Sequence, residues 1–264
     1  MRIGVTGAAG FIGNAVATDL ERDHDVIRYT RREWDITSGP IDGDADAVVH
    51  CAALADDWAP LATAMLVNRD GTRNVVDSFR GARFVHISSS SVYDAFVPTV
   101  NQAEAEPARR FLSTYSRSKA AAEHYVSDVI LRPHAVYGPG DTTLLPRVLA
   151  GVRRGRLTLP GGGRVLHSLT HIDNLVQAVR LSLSGPPGIY NVGDAEPVLL
   201  CDAIARFTDA EIRSVPYRTA YVAAAIAERL PGRPRITRYA VSQLGLERTL
   251  DITKARELLG YRPA

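Results

Sequence analysis

Two cysteines, Cys51 and Cys201, are all that the 264 residues contain, too few for a disulfide framework or a thiolate metal centre. A reducing compartment fits that scarcity. The chain also lacks any run of roughly 20 uninterrupted apolar residues of the kind that spans a membrane. It passes from Met1 straight into Arg2-Ile3-Gly4-Val5-Thr6 without the apolar stretch of a signal peptide. A cytoplasmic protein is therefore expected. A marked excess of charge of one sign is missing too: a formal net charge of +2 offers no electrostatic footprint for nucleic acid or an anionic membrane. No repeat or low-complexity tract is visible, which excludes solenoids and linker-joined arrays.

Short apolar runs alternate with amphipathic segments, the pattern of a parallel sheet flanked by helices. Strands are expected at Ile3–Thr6, Val26–Tyr29, Ala47–His50, Phe84–Ser88, Val129–Leu131 and Ile189–Val192. Helices are expected at Phe11–Glu21, Val67–Arg80, Ser113–Ser127 and Ile172–Ser184, with an Ala-rich helix over Tyr217–Leu230. The fold class that follows is α/β, a Rossmann-type doubly wound parallel sheet with a small C-terminal lobe capping the substrate. Residues 1–136 and 165–193 are assigned to the Rossmann core; 137–164 and 194–264 are assigned to the lobe, at the carboxyl ends of the strands where open α/β sheets bind ligands.

Gly7-Ala8-Ala9-Gly10-Phe11-Ile12-Gly13 follows the first strand and opens the first helix. Glycines so placed allow a tight turn, approach of backbone to a pyrophosphate and close helix–strand packing, with free N–H groups at the helix start facing the anion. At the end of the second strand, where a carboxylate usually bonds the adenosine ribose, stand Tyr29-Thr30-Arg31-Arg32. Guanidinium forks suit a 2′-phosphate, so NADP(H) is favoured over NAD(H), with NAD(H) kept as the alternative.

Tyr115 and Lys119 lie four residues apart in a helical segment and share a face. An ammonium beside a phenol favours phenolate and suits the tyrosine to acid–base work on a carbonyl or alcohol. Upstream, Ser88-Ser89-Ser90-Ser91-Val92-Tyr93 ends a strand, where a serine hydroxyl can hold the reacting oxygen.

In this order these segments resemble the extended short-chain dehydrogenases/reductases, the NAD-dependent epimerase/dehydratase superfamily, nearly end to end. His50-Cys51-Ala52-Ala53 is similar to the family's strand beside the cofactor, Asn68–Val75 to its following helix, and Leu131-Arg132-Pro133-His134-Ala135-Val136-Tyr137-Gly138-Pro139-Gly140 to its substrate-side turn. His171–Asn174, Tyr190–Gly193 and Asp251–Pro263 match further landmarks. The resemblance implies Ser89, Tyr115 and Lys119 as catalytic residues. It implies cofactor contacts from the glycine turn, Arg31, Arg32, Asp35 and Ile36 (the last two at the adenine), Cys51, Ala52, Ala53, Asn68, Ser88, Pro133 and Val136. Ser90 and Tyr93 look toward substrate, and Trp58, His134 and Tyr137 are further candidates. Asp94 departs from the family's usual glycine.

A 4,6-dehydratase commonly carries an Asp-Glu pair after the serine; Ser90-Ser91 stand there instead. Ala55–Pro60 and Leu157–Asn174 look more like the 3β-hydroxysteroid-dehydrogenase-like branch. The expected reaction is interconversion of a ketone and a secondary alcohol on an apolar or amphipathic small molecule. Nucleotide-sugar epimerisation is the alternative, and a dinucleotide sensor without turnover the third reading. His167 and His171, spaced like one helical turn, have no third ligand, so no metal is expected. The resemblance further implies a homodimer through the helices after Val67 and Ser113.

Overall fold

A computed structural model describes residues 1–264. Six strands form the central sheet: β1 (Arg2–Thr6), β2 (Asp25–Tyr29), β3 (Ala47–His50), β4 (Arg83–Ile87), β5 (Val129–Pro133) and β6 (Gly188–Val192). Their order is β6-β5-β4-β3-β1-β2, and every pair is parallel. The chain runs from β1 outward to β2 and returns to β3 on the other side of β1. The strand order thus reverses between β1 and β3, the crevice where doubly wound sheets take their ligands.

Helices cover both faces, which is why the strands read as near-continuous apolar runs. One face packs α1 (Phe11–Leu20) and a helix at Ile172–Ser182 on Ile3, Val5, Val85, Ile87, Val129 and Leu131. Beneath α2 (Gly71–Ser78) the opposite face buries Val48 and Phe84 with Trp34, Ile36, Val75 and Phe79. On that same face α3 (Thr114–Glu123) crosses β4 and β5; Ser113 caps it by accepting from the Ser116 N–H.

The helix expected from Val67 begins earlier, at Leu61, and passes through a π-helical stretch, Met65–Asp70, before α2. Such insertions are common at functional sites; this one carries Asn68. At the carboxyl ends of the strands, Arg156–Pro160 pairs with Glu211–Val215, and two further helices, Tyr217–Ala227 and Arg238–Gly245, pack together. Thr99–Gln102, placed with residues 1–136 by the sequence partition, pairs with Arg248–Leu250, because the excursion after Tyr93 carries it to the lobe's late strand. No helix is long and apolar enough to cross a membrane.

Candidate active site

The turn after β1 is built on contacts that only glycine permits. A Cβ on Gly7, whose φ is +67°, would lie 2.7 Å from the Ala52 backbone nitrogen; one on Gly13 would lie 2.2 Å from the Gly7 carbonyl oxygen. Gly10 is exposed, and a Cβ there would meet only that carbonyl, at 3.3 Å. No side chain caps α1, so its first N–H groups open into the crevice as an anion site requires. Phe11 borders the same space, with Gly140 near the edge of its ring. An open cradle with an uncapped helix start fits the pyrophosphate of a dinucleotide.

At the end of β2, Arg31 and Arg32 are both exposed. Arg31 Nε donates to Asp35 at 3.1 Å, and Asp35 also accepts from the Thr37 N–H and hydroxyl. These bonds hold the Asp35 carboxyl below its usual range. Glu33, a carboxylate that the reading of this strand end passed over, accepts from the Thr30 N–H and hydroxyl. Arg32 makes no ion pair, although its charge helps the Thr30 bonds to hold the Glu33 carboxyl down. Ile36 is buried against Gly71 rather than open to the crevice.

Tyr115, half-buried, projects from the first turn of α3. Burial raises its phenol above the ordinary value, and the nearby Ser89 hydroxyl opposes the rise. Ser89 begins a 3₁₀ turn after β4 and also accepts from the Ser91 N–H at 3.1 Å. One turn further along α3, Lys119 is buried, and its Nζ donates to the Ile87 carbonyl at 2.8 Å and to His86 Nε2 at 3.1 Å. Burial lowers its pKa to about 8, opposed by Glu123 and Cys51. The same burial pushes the Cys51 thiol up to about 12.

Several expected contacts turn inward instead. The Ser88 hydroxyl donates to Glu123, which forms a buried ion pair with Arg132 at 2.6 Å; the serine braces α3 rather than facing the crevice. Asn68 spends its amide on the Leu54 backbone and the Ser118 hydroxyl, so it holds the loop after β3 in place. Tyr93 is buried, donating to Asn191 and accepting from Arg132. Ser90 bonds His134 Nδ1 at 2.8 Å, and His134 Nε2 lies 3.3 Å from His167. Ser90, Tyr93 and His134 border a cavity of about 10 Å³, room for one water and no substrate. His167 and His171 share no helix: His171 caps the helix at Ile172 and packs on Tyr137, and no three acidic, His or Cys side chains cluster as a metal site.

Pro133 is buried, and Val136 and Tyr137 are half-buried beyond it; the Tyr137 hydroxyl donates to Asp194 at 3.0 Å. Trp58 is half-buried in a loop that the lobe clamps: Arg233 bonds Asp56, while Arg147 and Thr237 bond the buried Asp57. Burial, and after it the nearby Tyr115 phenol, raises the pKa of Tyr239 of the lobe. None of these lobe contacts has a local signature, since the partners stand far apart in the chain.

Residues 3–193 match the NAD dependent epimerase/dehydratase family. A 2-alkyl-3-oxoalkanoate reductase of Stenotrophomonas maltophilia is 30% identical over 313 residues, covering 100% of this chain and 95% of that protein. A 3-beta-hydroxysteroid dehydrogenase of Mycolicibacterium neoaurum is 27% identical, covering 99% and 87% respectively. Among solved structures, the UDP-glucuronic acid 4-epimerase of Bacillus cereus in complex with NAD superposes with a TM-score of 0.74 at 22% identity, covering 100% of this chain and 94% of that one. That likeness is one of fold.

Proposed function

From the premise that the chain belongs to the NAD dependent epimerase/dehydratase family, we propose that it interconverts a ketone and a secondary alcohol on an apolar or amphipathic small molecule. Membership makes it an NAD(P)-dependent enzyme of the extended short-chain dehydrogenase/reductase type. A bound nicotinamide dinucleotide supplies or accepts the hydride. The chain's own residues do the rest.

The Gly7–Gly13 turn and the start of α1 would hold the pyrophosphate, and Cys51, Ala52 and Ala53 would line the crevice beside it. NADP(H) is the favoured form: both nearby carboxylates, Glu33 and Asp35, are engaged by their own turn, while Arg32 is free to meet a 2′-phosphate. Tyr115 gives its proton to the carbonyl oxygen in reduction and takes it from the alcohol in oxidation. Ser89 donates to that same oxygen, and the Lys119 charge favours phenolate.

The observation that carries this reading is the placement of the half-buried Tyr115 on the first turn of α3, near the Ser89 hydroxyl at the carboxyl end of β4, with Ser90 and Ser91 rather than a carboxylate pair following. Relatives that cover nearly the whole chain include a 3-oxoalkanoate reductase and a hydroxysteroid dehydrogenase, which supports a ketone on an apolar frame. Tyr115→Phe tests it. Turnover on a panel of alkyl and steroid ketones should fall by about 10²–10⁴-fold while NADPH affinity stays unchanged. Turnover of nucleotide sugars alone would replace the ketone reading with epimerisation, and activity indifferent to the substitution would end it.

A further inference from the structure

β4 is buried on both faces, and within it Phe84, Val85 and Ile87 are apolar while His86 is not. The imidazole lies wholly inside the protein under Lys119. An ammonium has three donors and no acceptor, so the 3.1 Å contact between Lys119 Nζ and His86 Nε2 makes Nε2 the acceptor and leaves the ring proton on Nδ1. That Nδ1 is buried with no partner. Sheet interiors rarely retain an unpaired polar group without a function for it.

The ring is also held from behind. His50 stacks on His86 with ring centroids 5.2 Å apart. Thr72 donates its hydroxyl to the Asn68 carbonyl, so it accepts from His50 Nε2; His50 Nδ1 in turn accepts from Thr6. A rigid series therefore runs from Thr6 and Thr72 through His50 and His86 to the ammonium. We propose that His86 is a positioning residue of the site: its Nε2 lone pair fixes the Lys119 ammonium and favours its charged form, keeping the lysine cationic in a dry interior.

The groups facing Lys119 are few. His86 comes from β4, His50 from β3, Cys51 from the loop after β3, and Glu123 from its own helix; Glu123 is already paired with Arg132 of β5. Burial and the nearby lysine hold both histidines neutral, so neither competes for the positive charge. The Ile87 carbonyl is the ammonium's other acceptor, and a backbone group cannot be tuned by sequence. His86 is the acceptor that can.

The proposal deepens the role given to Lys119 above and rests on it for its catalytic meaning, but its test does not need a substrate. The sequence contains only two lysines, Lys119 and Lys254. In protein labelled with ¹³Cε-lysine, each side chain gives its own titration by NMR, and Lys254 serves as internal reference. Loss of a hydrogen bond to a charged donor should lower the Lys119 midpoint by about one pH unit or more in His86→Leu. His86→Gln, whose amide oxygen reaches the Nε2 position, should stay within a few tenths of wild type. If His86→Leu fails to fold, His86→Asn, polar but too short to reach the ammonium, must show the same fall. A Lys119 midpoint unchanged in the folded Leu or Asn variant overturns the proposal. A shifted midpoint in an enzyme that reduces no ketone leaves His86 in this role and refutes only the ketone reading.

Discussion

Alanine at Gly13 and alanine at Gly10 separate the two tasks of the turn after β1. At Gly13 the new methyl carbon would lie 2.2 Å from the Gly7 oxygen and 2.7 Å from the Gly7 carbonyl carbon, far inside the ~3.5 Å of a favourable contact. Both atoms are backbone, so α1 must lift from the turn. Overpacking of this kind costs about 1–3 kcal/mol, and the better helix propensity of alanine returns up to about 1 kcal/mol. Because the clash is with backbone, the cost lies in the upper part of that range and the net loss is about 1–2 kcal/mol; for a chain of this size each kcal/mol moves Tm by roughly 2–4 °C, so Gly13→Ala should melt about 2–8 °C lower and bind dinucleotide less well. At Gly10 the backbone is already in a conformation open to any residue, with φ −83° and ψ 168°, and the methyl would meet only one atom, at 3.3 Å. Tm should therefore move by no more than about 2 °C. The methyl would nevertheless stand where the pyrophosphate approaches, so NADPH affinity should fall by about tenfold or more, the equivalent of ~1.4 kcal/mol. Thermal melts and fluorescence titration with NADPH read the two effects. Unchanged affinity in Gly10→Ala would show that the dinucleotide does not lie on this turn, and an unchanged Tm in Gly13→Ala would refute the packing argument.

Arg32→Ala should weaken NADPH by about tenfold or more through loss of a charge-assisted contact and leave NADH within about twofold; equal losses for both in fluorescence titration would sink the 2′-phosphate argument. Glu123→Gln removes the charge that pairs with the buried Arg132 guanidinium, and urea denaturation should show a loss of about 3–5 kcal/mol; a loss under about 1 kcal/mol would mean that the guanidinium is compensated elsewhere. Acid stability should track the buried histidines. Burial lowers His167 to about 4, so below the unfolded value near 6.5 the unfolded chain binds more protons than the folded one, and stability present above that pH is lost as pH falls toward 4. Between about pH 6.5 and 5 this amounts to about 2 kcal/mol for His167, and His167→Gln should show a correspondingly flatter acid limb in urea midpoints measured across that range; an unchanged slope would contradict it.

The sheet was legible because its signals are local. Apolar runs of strand length, glycines at a strand–helix junction and a Tyr–Lys pair at helical spacing each depend on residues within a few positions of one another. All six strands of the central sheet were placed within about two residues at their ends, and boundaries of that order are where assignment is weakest. The π-helical stretch at Met65–Asp70 was not legible, since an inserted residue leaves the helical pattern nearly intact.

Side-chain direction was a different matter. In a strand buried on both faces the polar–apolar alternation disappears, so nothing in Phe84-Val85-His86-Ile87-Ser88 says that His86 and Ser88 both turn toward α3 and meet Lys119 and Glu123. For the same reason Ser90 and Tyr93 could be assigned to the substrate side when they bond His134 and Asn191 in the interior. Glu33 stood in plain view beyond Arg32, but only the folded turn shows its carboxylate engaged by Thr30.

By itself the sequence determined the order of elements, the glycine turn after β1 and which residue types could move a proton, because backbone propensity and short-range spacing are properties of neighbouring residues. Which of those side chains share a space was decided by the tertiary structure alone. The bonds from Arg147 and Thr237 to Asp57 and from Lys119 to His86 join residues 33 to 180 positions apart, and such pairs meet only when whole helices and strands settle against one another and exclude water.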